Sequence, residues 1–198
     1  VRIAQELGLK KITDLTKELK IYDNPEELMS ISLGSAETTL LKLTTAYCSF
    51  VNGGKLVEPK LIDRIQDSEG KTIYNSEKRV CKNCENISFL SKKIPEIDNN
   101  FKQVFTPQTA YQITSMLEGV IERGTGKKLK SLNLDLAGKT GTTNKNTDTW
   151  FIGFTSNLVI GVYIGNDNPK SLGKYETGAK TAMPVFKSFI KNAMNREN

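Results

Sequence analysis

Five consecutive residues, Lys139 to Thr143, combine one basic side chain, three hydroxyls and a glycine in the order Lys-Thr-Gly-Thr-Thr. If this run is a β-strand, alternate side chains share a face, so the hydroxyls of Thr140 and Thr142 lie side by side with the Lys139 ammonium beside them. Such a cluster is suited to binding a carboxylate. Gly141 has no Cβ, so another molecule can approach the backbone closely there, and a backbone N–H of the strand could serve an oxyanion.

The triplet Lys-Thr-Gly is short enough to recur by chance, and alone it favours an ordinary strand with exposed threonines and a solvated lysine. The stretch from Leu136 to Asp167 is more specific. Its segments KTGTTN, DTWFIGFT and LVIGVYIGND closely resemble the end of the transpeptidase domain of class A penicillin-binding proteins, with the 1A type as the nearest match. Lys-Thr-Gly is the last of three motifs in that set, after Ser-x-x-Lys and a Ser-x-Asn motif.

The resemblance implies a peptidoglycan D,D-transpeptidase that works through an acyl-serine intermediate and is acylated by β-lactams. It implies catalytic roles for Lys139, whose ammonium would pair with the second-motif serine, and for Thr142, whose N–H would belong to the oxyanion hole. Thr140 and Thr142 would bind the substrate carboxylate. Gly141 and Thr143 complete the substrate-binding residues implied by the family.

The nucleophile of the first motif is not evident in the chain. Ser-x-x-Lys occurs at Ser68–Lys71 in a predicted turn, at Ser171–Lys174 in a polar loop and at Ser188–Lys191 after the Lys-Thr-Gly strand, which is the wrong order for the family. The only Ser-x-Asn, Ser131–Asn133, stands five residues before that strand. By the resemblance the chain starts after both missing motifs, so we expect residues 1–198 to be the C-terminal portion of a transpeptidase domain, inactive and unstable when isolated.

Composition excludes several classes of function. The chain contains no histidine, so it holds neither a Ser-His-Asp triad nor a His-ligated metal, and we predict no metal site and no cofactor. The net charge of +6 is spread along the chain, which argues against a nucleic-acid site. No apolar run approaches the roughly 20 residues of a membrane span. The family implies an upstream anchor and glycosyltransferase domain, peptidoglycan stem peptides as partners, and a location in the bacterial periplasm or at the outer face of the cytoplasmic membrane.

The three cysteines suggest structure rather than chemistry. Cys81 and Cys84 form one Cys-x-x-Cys pair, which cannot fill a four-ligand zinc site alone. This pair favours a loop disulfide or two idle thiols over a redox or metal role. Cys48 falls in an apolar helix, where a buried position is expected.

The pattern of apolar residues predicts an α/β protein in the broad sense (α+β), an antiparallel sheet flanked by helices, which is the penicillin-binding/β-lactamase-like fold that the resemblance implies. Asn24-Pro25 predicts the start of a further helix. The core face of the last helix is predicted to comprise Val185, Phe186, Phe189 and Ile190. Residues 75–105 read as a polar surface excursion. The predicted helices cover residues 1–9, 12–19, 38–51, 107–123 and 178–194, and the predicted strands cover residues 59–66, 71–74, 136–143, 149–155 and 158–165.

Two other functions remain open. The first is a related acyl-serine hydrolase, a D,D-carboxypeptidase or β-lactamase, although the continuation of KTGTTN into DTWFIGF argues against it. The second is a non-catalytic module that binds only peptidoglycan or a partner, which the absence of a nucleophile within these residues favours.

Overall fold

The computed structural model describes residues 1–77, 79, 81–82, 84, 96–97 and 101–194. The chain forms two compact units, one comprising Val1–Val57 with Gln103–Asn198 and the other comprising Glu58–Lys102. The candidate site lies entirely in the first unit. None of the helices in the described ranges is long and apolar enough to cross a membrane.

The first unit begins with three helices, α1 (Arg2–Leu7), α2 (Leu9–Glu18) and α3 (Leu40–Val51). Helix α3 begins within two residues of its predicted start, because the hydroxyl of Thr39 accepts a hydrogen bond from the Lys42 N–H at 3.2 Å and so caps it. Cys48, predicted to be buried, is only half-buried in α3.

The helix predicted from Asn24-Pro25 is wrong. Residues 24–28 are not helical, and a short 3₁₀ helix covers Met29–Leu33 instead. This segment ends at Gly34, whose left-handed φ of 78° closes the turn. The nine residues from Pro25 to this stop are too few to form a stable α-helix on their own.

The second unit contains two small antiparallel pairs. Strands β1 (Arg64–Gln66) and β2 (Thr72–Asn75) form the predicted hairpin, and strands β3 (Cys81–Lys82) and β4 (Glu96–Ile97) form the other pair. The first strand is shorter than the predicted 59–66, because the ladder ends where Arg64 pairs with Asn75, the last residue of β2. Cys81 and Cys84 are joined by a disulfide. Much of the predicted excursion over 75–105 falls on residues outside the described ranges.

The rest of the first unit contains helix α4 (Pro107–Arg123), strands β5 (Ala137–Thr142), β6 (Asp148–Phe154) and β7 (Val159–Gly165), and helix α5 (Ala182–Met194), besides two short 3₁₀ helices. Helix α4 begins as predicted, with the Thr106 hydroxyl accepting from the Thr109 N–H at 3.1 Å. The strands form an antiparallel sheet in the order β5-β6-β7, and β6 and β7 form the predicted hairpin. This arrangement of helices and antiparallel strands confirms the predicted fold class.

The core lies between the sheet and α5, and it corrects the predicted face of that helix. Phe186 and Ile190 are fully buried, whereas Val185 is 50% and Phe189 55% exposed. Each exposed residue precedes a buried one by one position, which is about 100° around the helix axis. The apolar stripe of α5 therefore extends beyond the face that the core covers. The core cluster comprises Ile121, Leu129, Leu136, Phe151, Ala182, Met183, Phe186 and Ile190.

Candidate active site

The Lys-Thr-Gly-Thr run lies on β5, which is the edge strand of the three-stranded sheet. Within the described ranges one side of β5 pairs with β6, and no strand covers the other side. An unpaired strand edge can accept an extended peptide as an additional strand. The run is therefore placed where a peptide-like substrate could lie along the backbone.

The register of β5 and β6 assigns the side chains to the two faces of the sheet. Thr140 pairs with Phe151 and Thr142 with Thr149. Cross-strand partners share a face. Phe151 packs on Phe186 of α5 with ring centroids 4.9 Å apart, so both threonines lie on the α5 face.

Lys139 alternates to the opposite face, where its partner on β6 is Ile152. Its Nζ atom donates to the main-chain oxygen of Thr140 at 2.7 Å. The ammonium is thus folded back on its own strand and is exposed at the sheet edge. The contact places the cation next to the backbone of the motif.

The hydroxyl of Thr142 is oriented by the chain that precedes α5. The Gly178 N–H donates to Thr142 Oγ1 at 3.1 Å. Because the oxygen accepts this hydrogen bond, its own proton remains free to be donated to a ligand. Gly178 must be a glycine, since a Cβ would stand 2.5 Å from the Trp150 carbonyl oxygen and 2.6 Å from that of Gly141.

The hydroxyl of Thr140 is paired with a residue that the sequence did not single out. Thr125 Oγ1 lies 2.9 Å from Thr140 Oγ1. Thr125 is held between Gly124 and Gly126 in the turn that ends α4, and a Cβ at either glycine would come within 3.0 Å of Val120 or Ile121. Two hydroxyls that share one hydrogen bond leave one proton for a ligand.

Thr143 is committed to the turn between β5 and β6. Its Oγ1 lies 2.9 Å from Thr147 Oγ1 and accepts from the Asp148 N–H at 3.0 Å. These contacts close the turn in which Lys145 and Asn146 take left-handed φ values of 62° and 53°. The substrate contact predicted for Thr143 stays a prediction.

Gly141 is covered on one side by the aromatic ring system of Trp150. A Cβ at Gly141 would stand 3.1 Å from Trp150 Cβ. Trp150 donates from its indole N–H to Asp148 Oδ1 at 3.1 Å and contacts Tyr163 edge-on, with ring centroids 4.8 Å apart. These contacts hold the indole against the motif strand.

The segment of the chain that contains the motif strand and the loop before α5 has more basic than acidic residues. Residues 139–180 contain five lysines and three acidic residues. Lys174 and Lys180 both lie near the ring of Tyr175, at 5.7 Å and 5.5 Å from its centroid. Among the described residues, no three His, Cys, Asp or Glu side chains are grouped in a way that could hold a metal ion.

Two concave regions of the first unit are separate from this strand edge. One, of about 730 Å³, is lined by residues between Ile21 and Lys42. The other, of about 350 Å³, touches only the first residue of β5, Ala137, together with residues of α3, α4 and the end of β6. The candidate site is instead an open edge of the sheet.

Three residues at the site were missed by sequence reasoning: Thr125, Asn146 and Gly178. Their contacts with the motif strand and its neighbouring loops span 15 to 36 positions of the chain. The signal that could have found Thr125 is its position between two glycines. Asn146 and Gly178 have no comparable local signal.

The profile of the family described as "Penicillin binding protein transpeptidase domain" matches residues 1–191. The chain belongs to the penicillin-binding protein transpeptidase family. It is 44% identical over 200 residues to penicillin-binding protein 1A of Rickettsia bellii, covering all of this chain and 25% of that protein. The predicted resemblance to a 1A-type penicillin-binding protein is therefore confirmed, and the chain spans about a quarter of the length of the curated relatives it matches.

Solved structures agree with this family assignment. The crystal structure of penicillin-binding protein 1A from Haemophilus influenzae superposes with a TM-score of 0.81 at 31% identity, over 98% of this chain and 32% of that one. PonA1 from Mycobacterium tuberculosis in complex with penicillin V superposes with a TM-score of 0.61, over 86% of this chain and 41% of that one. At 20% identity the second likeness supports the penicillin-binding protein fold alone.

Proposed function

We propose that this chain is the C-terminal portion of the transpeptidase domain of a peptidoglycan D,D-transpeptidase and supplies its substrate-binding strand. The observation that carries the proposal is the open edge of β5, on which the hydroxyls of Thr140 and Thr142 share one face. Because residues 1–191 match the transpeptidase family, a peptidoglycan peptide is the ligand expected at this edge. The nucleophilic serine would come from outside residues 1–198.

The two threonines would bind the terminal carboxylate of the stem peptide. Thr142 has a free proton because its oxygen accepts from Gly178, and the Thr140–Thr125 pair has a second. Two hydroxyl donors on one face match the two oxygens of a carboxylate. Hydrogen bonds to a charged group contribute about 1.5–3 kcal/mol each, enough to select substrates that carry this carboxylate.

The peptide would lie along β5 next to Gly141, where no side chain blocks the backbone. The serine oxygen would attack the carbonyl between two D-alanines, the C–N bond would break, and the terminal D-alanine would leave with a proton. An amine of a neighbouring peptidoglycan strand would then attack the acyl-serine ester, which forms a new amide and regenerates the free serine. The β-strand edge would thus hold the acyl group through both steps.

Two groups of the motif would stabilise charge that develops during the reaction. The Thr142 N–H would donate to the oxyanion of the tetrahedral intermediate, where loss of one donor costs about 10²–10³ in rate. The Lys139 ammonium, exposed and held only by the Thr140 carbonyl in the described contacts, would turn towards the serine of the second motif and support proton transfer. Thr143, in the turn that follows β5, would contact the bound peptide.

β-Lactams would acylate the same serine, because they carry an amide and a carboxylate in similar positions. PonA1, which has the same fold, forms a complex with penicillin V, and this supports β-lactam binding here. The parent protein would also carry a glycosyltransferase domain and a membrane anchor, and would act in the periplasm at the outer face of the cytoplasmic membrane. The basic excess at residues 139–180 suits stem peptides, which are rich in carboxylates.

An assay of the full-length protein would separate this function from its rivals. A stem pentapeptide ending in two D-alanines is supplied together with an acceptor amine, and products are separated by mass. We expect a cross-linked amide and released D-alanine. Hydrolysis without cross-linking would favour a carboxypeptidase, and binding without any product would favour a non-catalytic module.

A further inference from the structure

Asn146 connects the loop between β7 and α5 to the turn between β5 and β6 by hydrogen bonds. Its Nδ2 donates to the carbonyl oxygens of Gly173 at 2.9 Å and Lys174 at 3.0 Å. Its main-chain oxygen accepts from the Leu172 N–H at 2.8 Å. Three hydrogen bonds therefore hold residues 172–174 to one residue, which adopts a left-handed φ of 53° that asparagine tolerates better than most side chains.

The same loop leads directly to the group that orients Thr142. Gly178 follows Lys174 by four residues, and its N–H donates to Thr142 Oγ1 at 3.1 Å. Gly178 sits too close to the carbonyls of Gly141 and Trp150 for any side chain. The segment 172–178 is thus fixed at one end by Asn146 and at the other end by contact with the motif strand.

We propose that Asn146 is a positioning residue for carboxylate recognition, holding segment 172–178 so that the Gly178 N–H keeps the Thr142 proton directed at the ligand. A hydroxyl that accepts from an N–H while donating to a carboxylate is polarised in the direction of donation. The proposal rests on the carboxylate-binding role proposed for Thr142. It adds that this role depends on a side chain that itself lies outside the Lys-Thr-Gly-Thr strand.

A general structural role for Asn146 would affect all ligands equally, whereas a positioning role would affect those with a carboxylate. The test therefore compares acylation of the full-length protein by benzylpenicillin and by its methyl ester. The ratio of the two second-order rate constants measures carboxylate recognition. Asn146→Gly removes the side chain but keeps the left-handed backbone accessible, and Asn146→Asp keeps the size but turns two donors into acceptors.

We expect Asn146→Gly to lower the acid-to-ester ratio about fivefold, because the hydrogen bond from Thr142 to the carboxylate would be weakened rather than lost, with little change in the rate with the ester. Asn146→Asp should lower it further, because its carboxylate would face two carbonyl oxygens. Asn144→Ala is the matched control, since the Asn144 side chain makes no hydrogen bond to the described residues, and its ratio should stay that of the wild type.

A wild-type ratio in both Asn146 variants, or an equal loss of rate with acid and ester, would overturn the inference. If Asn146→Gly does not accumulate as a folded protein, Asn146→Asp decides. Thr142→Val distinguishes a failure of the inference about Asn146 from a failure of the proposed carboxylate-binding function. A normal ratio in Thr142→Val would refute the carboxylate site itself, whereas a lowered ratio there with a normal ratio in the Asn146 variants would refute only the role of Asn146.

Discussion

The hydroxyl oxygens of Thr125 and Thr140 lie 2.9 Å apart, joining the glycine-flanked turn after α4 to the motif strand β5. The turn is tightly held, since the N–H groups of Gly124 and Gly126 both donate to the Val120 carbonyl, at 3.1 Å and 3.0 Å. Thr125 therefore presents its hydroxyl from a rigid support. The carboxylate-binding role proposed for Thr140 extends through this contact to a residue 15 positions earlier.

Removing the Thr125 hydroxyl should weaken acylation by penicillins. In Thr125→Val the Thr140 hydroxyl loses its partner, and the cost of about 1 kcal/mol for one hydrogen bond corresponds to about a fivefold lower second-order rate constant for the full-length protein. The measurement is the acylation rate with benzylpenicillin in stopped flow.

Thr125→Ser keeps the hydroxyl and is the control for that variant, with a rate near that of the wild type. A double-mutant cycle with Thr140→Val tests the contact itself. The effects of the two valine substitutions should not add, because the two hydroxyls act as one unit. Fully additive losses would show that the pair is not coupled.

Gly178→Ala should destabilise the protein and slow its acylation together. The new Cβ would collide with two main-chain oxygens, which cannot move without disrupting the pairing of β5 and β6. Overpacking of this kind costs about 1–3 kcal/mol or more. Thermal unfolding of the variant, followed by circular dichroism, measures the loss.

The comparison variant is Gly70→Ala in the hairpin of the second unit. Gly70 has a φ of 82° but open space around its Cβ position, so only the left-handed conformation is penalised, at about 1–2 kcal/mol. Its acylation rate should stay that of the wild type. A Gly178→Ala variant that acylates normally would contradict the close contact with β5.

Cys48 should react slowly with thiol reagents. Burial raises the pKa of the Cys48 thiol, although its hydrogen bond with the backbone acts in the opposite direction. Less thiolate is then present than in the unfolded chain. Iodoacetamide labelling at pH 8.5, read from the mass of the peptide containing Cys48, should accelerate when urea unfolds the protein.

The same shift has a consequence for stability. A thiol whose folded pKa is raised contributes stability that is fully present below its unfolded pKa and is lost as pH rises through the folded pKa. Unfolding by urea should therefore become easier in mildly alkaline solution, and Cys48→Ser should remove part of this dependence. Equal labelling rates in the folded and unfolded protein would contradict the burial of the thiol.

Trp150 should report on occupancy of the motif strand. It is the single tryptophan of the chain and covers Gly141, along which the ligand is proposed to lie. Acylation by a penicillin should change tryptophan emission at the rate at which the covalent adduct forms. Trp150→Phe in the full-length protein is the control, and an unchanged signal in that variant would show that the emission change arises elsewhere.

The sequence was most informative where a structural cause is local. The three strands of the sheet were predicted to within about two residues at each end, because glycines and polar turns interrupt runs of apolar residues. The cap of α4 was predicted because Thr106 and Pro107 act within one turn. The family resemblance is visible for a related reason, since each segment that carries it is a contiguous run of residues.

What the sequence missed depends on contacts between distant segments. The exposure of Val185 and Phe189 follows from which face of α5 meets the sheet, and an apolar stripe of four residues does not define that face. Asn146 and Gly178 reach partners 27 and 36 positions away, so nothing in their immediate neighbourhood marks them. The 3₁₀ helix at Met29–Leu33 is an exception, because the left-handed Gly34 that ends it is a local feature.

The most direct test of the central claim is to locate the penicilloyl group on the full-length protein. The protein is incubated with benzylpenicillin, digested, and its peptides are identified by mass. We predict one adduct on a serine outside residues 1–198, formed more slowly when Thr140 and Thr142 are both valine. An adduct on Ser68, Ser171 or Ser188 would contradict the account, because the nucleophile would then lie within this chain.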